Sequence, residues 1–557
     1  MKILLTSLTK PIPMLLGKFL STDDSSYRFV VDQGIFSVTA ENHVYSLHFM
    51  SQNITMPSTV LEWPTNEELA AELKSDRYDY VGIHIKVIDL DRVSAMIDLI
   101  RQASPHSQII VGGYGTLGLD ELREFGIDVA DKADHICKGE GVDFINQLDG
   151  FNGRMKRVSR LPLEKLRIPW LPMDTKVGYL LSALGCPVQC EFCATSAFVP
   201  NGQVHEVMTA EEIYDAARWY YDTYRDFHEL YVMDENYLAY KKKVNAVGKL
   251  VREDDAYGLS RMNLRVFGTL LAMSKWEPEE LLLNGIGGIW SGIESFFSYD
   301  RKKKTDVFAL IHACHEHGIP TILSWIIGDD CQTKDNIDED VAQFVALRPP
   351  AAQLSVLTAM PGTALFRRLK DDDRLMPFQA PEMHLLGNSM RSLHFNHEER
   401  VDILLDAYRR LYQANGTAVM RSLDIDLNGY RYCSRSKNPH LNGRKMQYYR
   451  TRVRNSVALV KTAIRYAPND GVRAAMHALE DKYVDLLGPL SKPQRIVADR
   501  FLRMADEAHE TYLREGPPSA SEPPLVRMEY PGRDPAAEQG AADDDALVVP
   551  LTVKASA

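Results

Sequence analysis

The stretch "VGYLLSALGCPVQCEFCATSAF", residues 177 to 198, decides how the rest of the chain is read. It opens as a strand, "VGYLLSALG", and runs into a loop carrying Cys186, Cys190 and Cys193. The chain has 557 residues and only seven cysteines. That number is odd and low for a disulfide-built secreted protein, so a reducing, cytoplasmic setting is expected. Three thiols gathered as CxxxCxxC point to a soft metal or an iron–sulfur cluster. A cubane cluster usually takes four thiolates. Three would leave one iron with an open coordination position, as catalytic metal sites do. Two plainer readings stay open. One is structural zinc with a distant fourth ligand such as His205, and the other is three unliganded buried cysteines.

Outward from this loop the pattern is regular. Residues 176 to 385 continue through the strands "ELYVMDENY", "LRVFGTLLA", "GGIWSGIES", "PTILSWIIG" and "AQLSVLTAM", with amphipathic helical stretches between them. Six strand–helix units predict a partial (β/α)6 barrel of the TIM type, with its chemistry at the C-terminal strand ends. Residues 1 to 150 also alternate, through "MKILLTSL", "YDYVGIHIKV", "SQIIVGGYGTLG" and "HICKGEG". This predicts an α/β, doubly wound, Rossmann-like domain with a parallel sheet. Residues 151 to 175 read as a proline-bearing linker, and residues 386 to 514 as a helical C-terminal domain. Residues 515 to 557 are rich in Pro, Ala, Gly and acidic side chains and read as a disordered tail.

The formal net charge of −12 argues against a nucleic-acid binder. No apolar run reaches the roughly 18 residues of a transmembrane candidate. The N-terminal "KILLTSL" reads as a buried strand rather than a signal peptide, because no small-residue cleavage site follows it. A hydrophobic content of 45% is enough for a sizeable core.

The ordered motifs resemble the radical S-adenosylmethionine (SAM) superfamily. The CxxxCxxC loop follows the first barrel strand, with Phe192 before the last cysteine. "YVMDENY" (231–237) lies where that family presents polar groups to the SAM amino group, which implies roles for Asp234, Glu235 and Asn236. It departs from the family's Gly-Gly-Glu wording. "SGIES" (291–295) resembles the fourth-strand motif, implying that Gly292, Glu294 and Ser295 contact SAM ribose and carboxylate. "WIIGDDCQT" (325–333) resembles the segment beside adenine, with Gly328 at its turn. "TAMPGTALF" (358–366) resembles the segment after the sixth strand. The resemblance implies that Cys186, Cys190 and Cys193 hold a [4Fe-4S] cluster that binds and cleaves SAM.

The N-terminal glycine loops, Gly112-Gly113-Tyr114 and Gly139-Glu140-Gly141, stand at strand ends, where glycine lets backbone approach a large ligand. Ordinary strand–helix turns explain them as well. Ahead of such a barrel they resemble the cobalamin-binding domain of B12-dependent (class B) radical SAM methyltransferases. The Asp-x-His-x-x-Gly cobalt-ligand motif is absent. His84 is a candidate to approach the corrin's lower face, against the plainer expectation of a solvent-exposed loop histidine.

The basic, aromatic "NGRKMQYYRTRVRNSVALVKTAIRY" offers contact with an anionic lipid surface or acidic substrate, against the plainer reading of a solvated helix face. Together these features imply a cobalamin-dependent radical SAM enzyme. It would form a 5′-deoxyadenosyl radical and methylate an unactivated carbon of a lipid or small metabolite. A flavodoxin or ferredoxin would supply the electron. Radical cyclisation or rearrangement with the same cofactors is the alternative, and a non-catalytic cobalamin- or zinc-binding regulator the second.

Overall fold

The computed structural model describes residues 1–15, 19–20, 33–41, 43–224, 227, 229–297, 306–516 and 522–540. Its first sheet is built from β1 (Ile3–Thr6), β2 (Ser58–Glu62), β3 (Tyr80–His84), β4 (Gln108–Gly112) and β5 (His135–Cys137). These strands are parallel and lie in the order β2-β1-β3-β4-β5. Both faces of the sheet are covered. Ile3 and Leu5 belong to one core cluster and Leu4 to another, as period-2 alternation demands. The second cluster packs Leu4, Val81, Ile83 and Val111 against the helix Leu90–Ala103. The other face looks toward the second sheet.

That second sheet carries six parallel strands in chain order. They are β6 (Asp174–Leu180), β7 (Glu229–Val232), β8 (Leu264–Phe267), β9 (Ile286–Glu294), β10 (Thr321–Ile327) and β11 (Ala351–Val356). The sheet is open. β11 forms one edge, and beyond β6 two further strands, Glu164–Arg167 and Thr39–Glu41, pair antiparallel. The segment expected as a linker therefore supplies a strand to the barrel sheet. The N-terminal part supplies another, so the two sheets share chain at their junction.

The last third of the described chain is helical, through His397–Asn415, Ala418–Arg435, Met446–Ser456, Asp470–Leu487 and Lys492–Glu515. Capping boxes at Asn396/Glu399 and Ser491/Gln494 satisfy the first free N–H groups of two of these helices. The basic segment is not a uniformly solvated face. Lys445 is fully buried, and Arg452 reaches Glu229 at 3.0 Å and Asp426 at 2.9 Å. Arg452 neutralises the buried Glu229 and Asp426 beneath the barrel, and Lys445 stands 4.2 Å from the Tyr448 ring centroid, so both are withdrawn from any anionic surface.

The expected tail also differs from its composition. Val526–Tyr530 forms a strand antiparallel to β2, at the edge of the first sheet. Met528 and Tyr530 turn inward, while Arg527 pairs with Glu72 at 2.8 Å. Five alternating residues suffice for an edge strand, and the Pro- and Ala-rich flanks mask them in any compositional reading. Residues 517–521 and 541–557 of that segment lie outside the described residues.

Candidate active site

The cysteine loop leaves the C-terminal end of β6 and is held from below. Asp234, just past β7, accepts the backbone N–H groups of Ser182 (2.7 Å) and Ala183 (2.8 Å) and the Ser182 hydroxyl. Gly185 takes φ +100, where a Cβ would run into the Gln203 carbonyl, so only glycine admits the chain there. The Cys193 N–H closes a turn on the Cys190 carbonyl at 3.1 Å, and Cys193 begins the helix Ala194–Phe198. Cys186 is buried, Cys190 and Cys193 are half-buried, and no disulfide joins them. Burial pushes the Cys186 thiol up. A metal would reverse that, because a coordinating thiol is deprotonated.

Three thiols on one loop, with no fourth cysteine beside them in the sequence, are a donor set that suits an iron–sulfur cluster with an open position. His205 is exposed and pairs by backbone with Leu184.

The polar triplet after β7 divides by role. Asp234 is committed to the loop, and Asn236 accepts the Thr269 N–H at 3.1 Å. Glu235 faces the cysteine helix, where Thr195 Oγ1 donates to its Oε1 at 2.6 Å. Burial, then nearby Asp234, raises the Glu235 carboxyl. Ser295 is likewise occupied, donating to Asp340 Oδ2 at 2.6 Å. Glu294 ends β9 at φ +59, a backbone state rare outside glycine, and a Cβ on Gly292 would collide with its carboxylate. Gly328 turns at φ +110, and Arg400 packs on it, with Cδ 3.1 Å from where a Cβ would stand. Its neighbour here is thus a C-terminal helix. Phe192 packs against the apolar cluster that includes Leu365 and Phe366, which follow the Pro-Gly-Thr segment.

The glycine loops of the first sheet meet this barrel mouth. Gly113 takes φ +99 and ψ −179, with Ile85 O and the His84 ring 2.8 and 3.2 Å from where a Cβ would stand. Tyr114 then crosses to the barrel, its hydroxyl 3.0 Å from Thr195 Oγ1 and its ring centroid 4.9 Å from Phe198. Gly118 and Gly362 of the Pro-Gly-Thr segment touch backbone to backbone, and Glu121 binds Arg367 at 3.0 Å. Glu140 caps the helix Gly141–Leu148 by accepting from Val142 and Asp143 N–H. Gly139 has nothing within 4 Å of its Cβ direction, at φ +124.

Between these loops and the barrel lies a cavity of about 420 Å³. Leu5, Gly82, His84, Ile110, Gly112 and Gly139 wall one side, and Tyr179, Leu180, Leu184, Phe198 and Met233 the other. His84 ends β3 on the same strand face as Gly82, so it is a cavity residue rather than a solvent-exposed loop histidine. Burial, then Lys86, lowers it to about 4, so the imidazole is neutral near pH 7. Sequence reasoning missed Tyr45, Glu164, Tyr179 and Met233 on this wall. Tyr179 was findable, since it shares a strand face with Val177 along β6. Tyr45 and Glu164 come from segments that carry no motif.

No protein-family model matches the chain. An uncharacterized methyltransferase of Pyrococcus horikoshii is 21% identical over 338 residues, covering 57% of this chain and 69% of that protein. A solved structure of the radical S-adenosylmethionine methyltransferase TsrM from Kitasatospora setae, with cobalamin and a [4Fe-4S] cluster bound, superposes with a TM-score of 0.50 and 14% identity. It covers 81% of this chain and 98% of that one. A second structure of TsrM, with tryptophan substrate and a SAM analog, gives 0.48 and 14%, over 91% and 99% of the two chains. The first superposition shows a common fold.

Proposed function

We propose that this chain is a cobalamin-dependent radical SAM enzyme that methylates an unactivated carbon of a small, largely apolar metabolite or lipid. One observation carries the reading: the glycine loops of the first sheet share one cavity wall to wall with Leu184 and Phe198, the residues that flank the cysteine loop, though the two are far apart in sequence. The likeness to a methyltransferase that binds both cofactors supports it.

Cys186, Cys190 and Cys193 would hold the cluster on a loop braced by Asp234. Glu235 and Glu294, at the ends of β7 and β9, would be the carboxylates that meet SAM. Gly139 would leave room for a corrin against the strand ends, with Gly112, Gly113, Gly141, His84 and Tyr114 around it on the cavity wall. The open space over Gly139 fits such a broad ligand. When bound, the cluster supplies the electron that cleaves SAM and cobalamin supplies the methyl group. The chain's own task is to position both groups and exclude water. Its apolar wall, with Tyr45 and Tyr179, suits a substrate with an apolar or aromatic body. An external one-electron donor such as flavodoxin or ferredoxin would reduce the cluster, as a cytoplasmic setting allows.

The test is stoichiometry on anaerobically reconstituted protein. Four irons with sulfide and one cobalamin per chain support the reading. Zinc without sulfide would overturn it. Radical cyclisation is the reading to adopt if deoxyadenosine forms without methyl transfer.

A further inference from the structure

A second set of metal-ligand side chains stands on the wall of the same cavity. His43 Nδ1 lies 2.7 Å from Glu62 Oε2, and His48 Nε2 lies 3.3 Å from that same oxygen. All three ligand atoms fall within 4.8 Å of one another. The Glu62 and His48 side chains are fully buried, while His43 is 23% exposed and lines the cavity. Among the described residues no Lys or Arg pairs with Glu62, so its charge is answered only by the two imidazoles.

The surrounding bonds fix which atoms are free. Glu62 Oε1 accepts the Val44 N–H, which leaves Oε2 for the cluster. His48 Nδ1 lies 2.8 Å from the Tyr530 hydroxyl, which is also 3.8 Å from Met528 Sδ. That bond leaves His48 Nε2 facing Glu62 Oε2. A buried carboxylate held between two imidazoles is answered by a proton or by a cation.

We propose that His43, His48 and Glu62 bind one divalent transition-metal ion of the zinc class, with its remaining coordination position open to the cavity beside His43. Two imidazoles and a carboxylate form a ligand set suited to such ions. An outer partner that orients a ligating histidine is a regular feature of these sites. Tyr530 serves in that role, which gives the returning C-terminal strand a purpose beyond covering the edge of β2. The site is separate from the cysteine loop and does not depend on the proposed radical chemistry.

The test uses the full chain with Cys186, Cys190 and Cys193 changed to serine, so that the loop takes up no added ion. After chelator treatment it is dialysed against zinc, and bound zinc is counted by mass spectrometry. One zinc per chain is expected. His43→Ala should weaken binding at least about tenfold, and Tyr530→Phe by about 10- to 100-fold. His205→Ala, at an exposed histidine, should change nothing. Circular dichroism checks each fold, with His43→Gln replacing His43→Ala if the latter does not fold. No zinc in the parent, or equal zinc in the parent and the folded His43 variant, would overturn the site and leave a shared proton as the link.

Discussion

The Tyr114 hydroxyl stands 3.0 Å from Thr195 Oγ1, so the glycine loop of the first sheet is bonded to the helix that the cysteine loop begins. Thr195 gives its own proton to Glu235, which makes Tyr114 the donor. The chain Tyr114–Thr195–Glu235 ties both proposed cofactor seats to one carboxylate.

Tyr114→Phe keeps the ring against Phe198 and removes this bond, together with the longer 3.5 Å contact of the hydroxyl with Glu235 Oε1. A single hydrogen bond contributes about 1 kcal/mol, a factor of about five in a population. The ratio of S-adenosylhomocysteine to 5′-deoxyadenosine should change by about that factor, with iron content unchanged. An unchanged ratio would mean that the bond does not couple the two seats.

Asp234 and Glu235 are adjacent and should behave differently. Asp234→Ala strips the acceptor from two buried N–H groups and a hydroxyl, at a cost of about 3 kcal/mol or more. Denaturant unfolding should show that loss, together with poor cluster retention. Glu235→Gln should unfold near the parent midpoint while binding SAM more weakly in equilibrium dialysis. The reverse pattern would exchange their roles.

How far the sequence reached is plain from such pairs. The CxxxCxxC loop, the six barrel strands and the parallel first sheet follow from local periodicity and turn residues, which a single sequence displays. Asp234 and Asn236 were not separable from Glu235 there, because their partners, Ser182 and Thr269, come from neighbouring strand ends. Tyr45, Glu164 and Tyr530 were invisible for the same reason. Glu164 and Tyr530 reach the cavity region through strand pairings, and Tyr45 through the helix Tyr45–Ser51, all in segments that bear no motif, and contact over such distances leaves no local pattern.

Gly113→Ala should be costly, since φ +99 with extended ψ is a region essentially confined to glycine and Ile85 O blocks the Cβ. The expected loss is about 1–3 kcal/mol, with cobalamin retention reduced. Gly126→Ala has φ +81 and open space, so it carries the backbone cost alone, about 1 kcal/mol, and should retain cobalamin. Urea midpoints and bound-cobalamin absorbance distinguish the two.

His84 predicts a pH dependence. Burial lowers it to about 4 from its ordinary value of 6.5. Below pH 6.5 the unfolded chain takes up a proton that the folded chain refuses, so stability falls as pH drops from 6.5 toward 4. Above 6.5 this contribution is level. His84→Gln should flatten that part of the profile in denaturant titrations. An unaltered slope would show that His84 is protonated freely in the fold.

The central claim is that one chain cleaves SAM by radical chemistry and also transfers methyl through cobalamin. The direct measurement is mass-spectrometric quantification of 5′-deoxyadenosine and S-adenosylhomocysteine, on anaerobically reconstituted protein with SAM, a strong reductant and cobalamin. Both products should form, with homocysteine product dependent on cobalamin. Cys190→Ala should abolish deoxyadenosine. Deoxyadenosine at the parent level in that folded variant, or neither product from iron-loaded parent, would contradict the account.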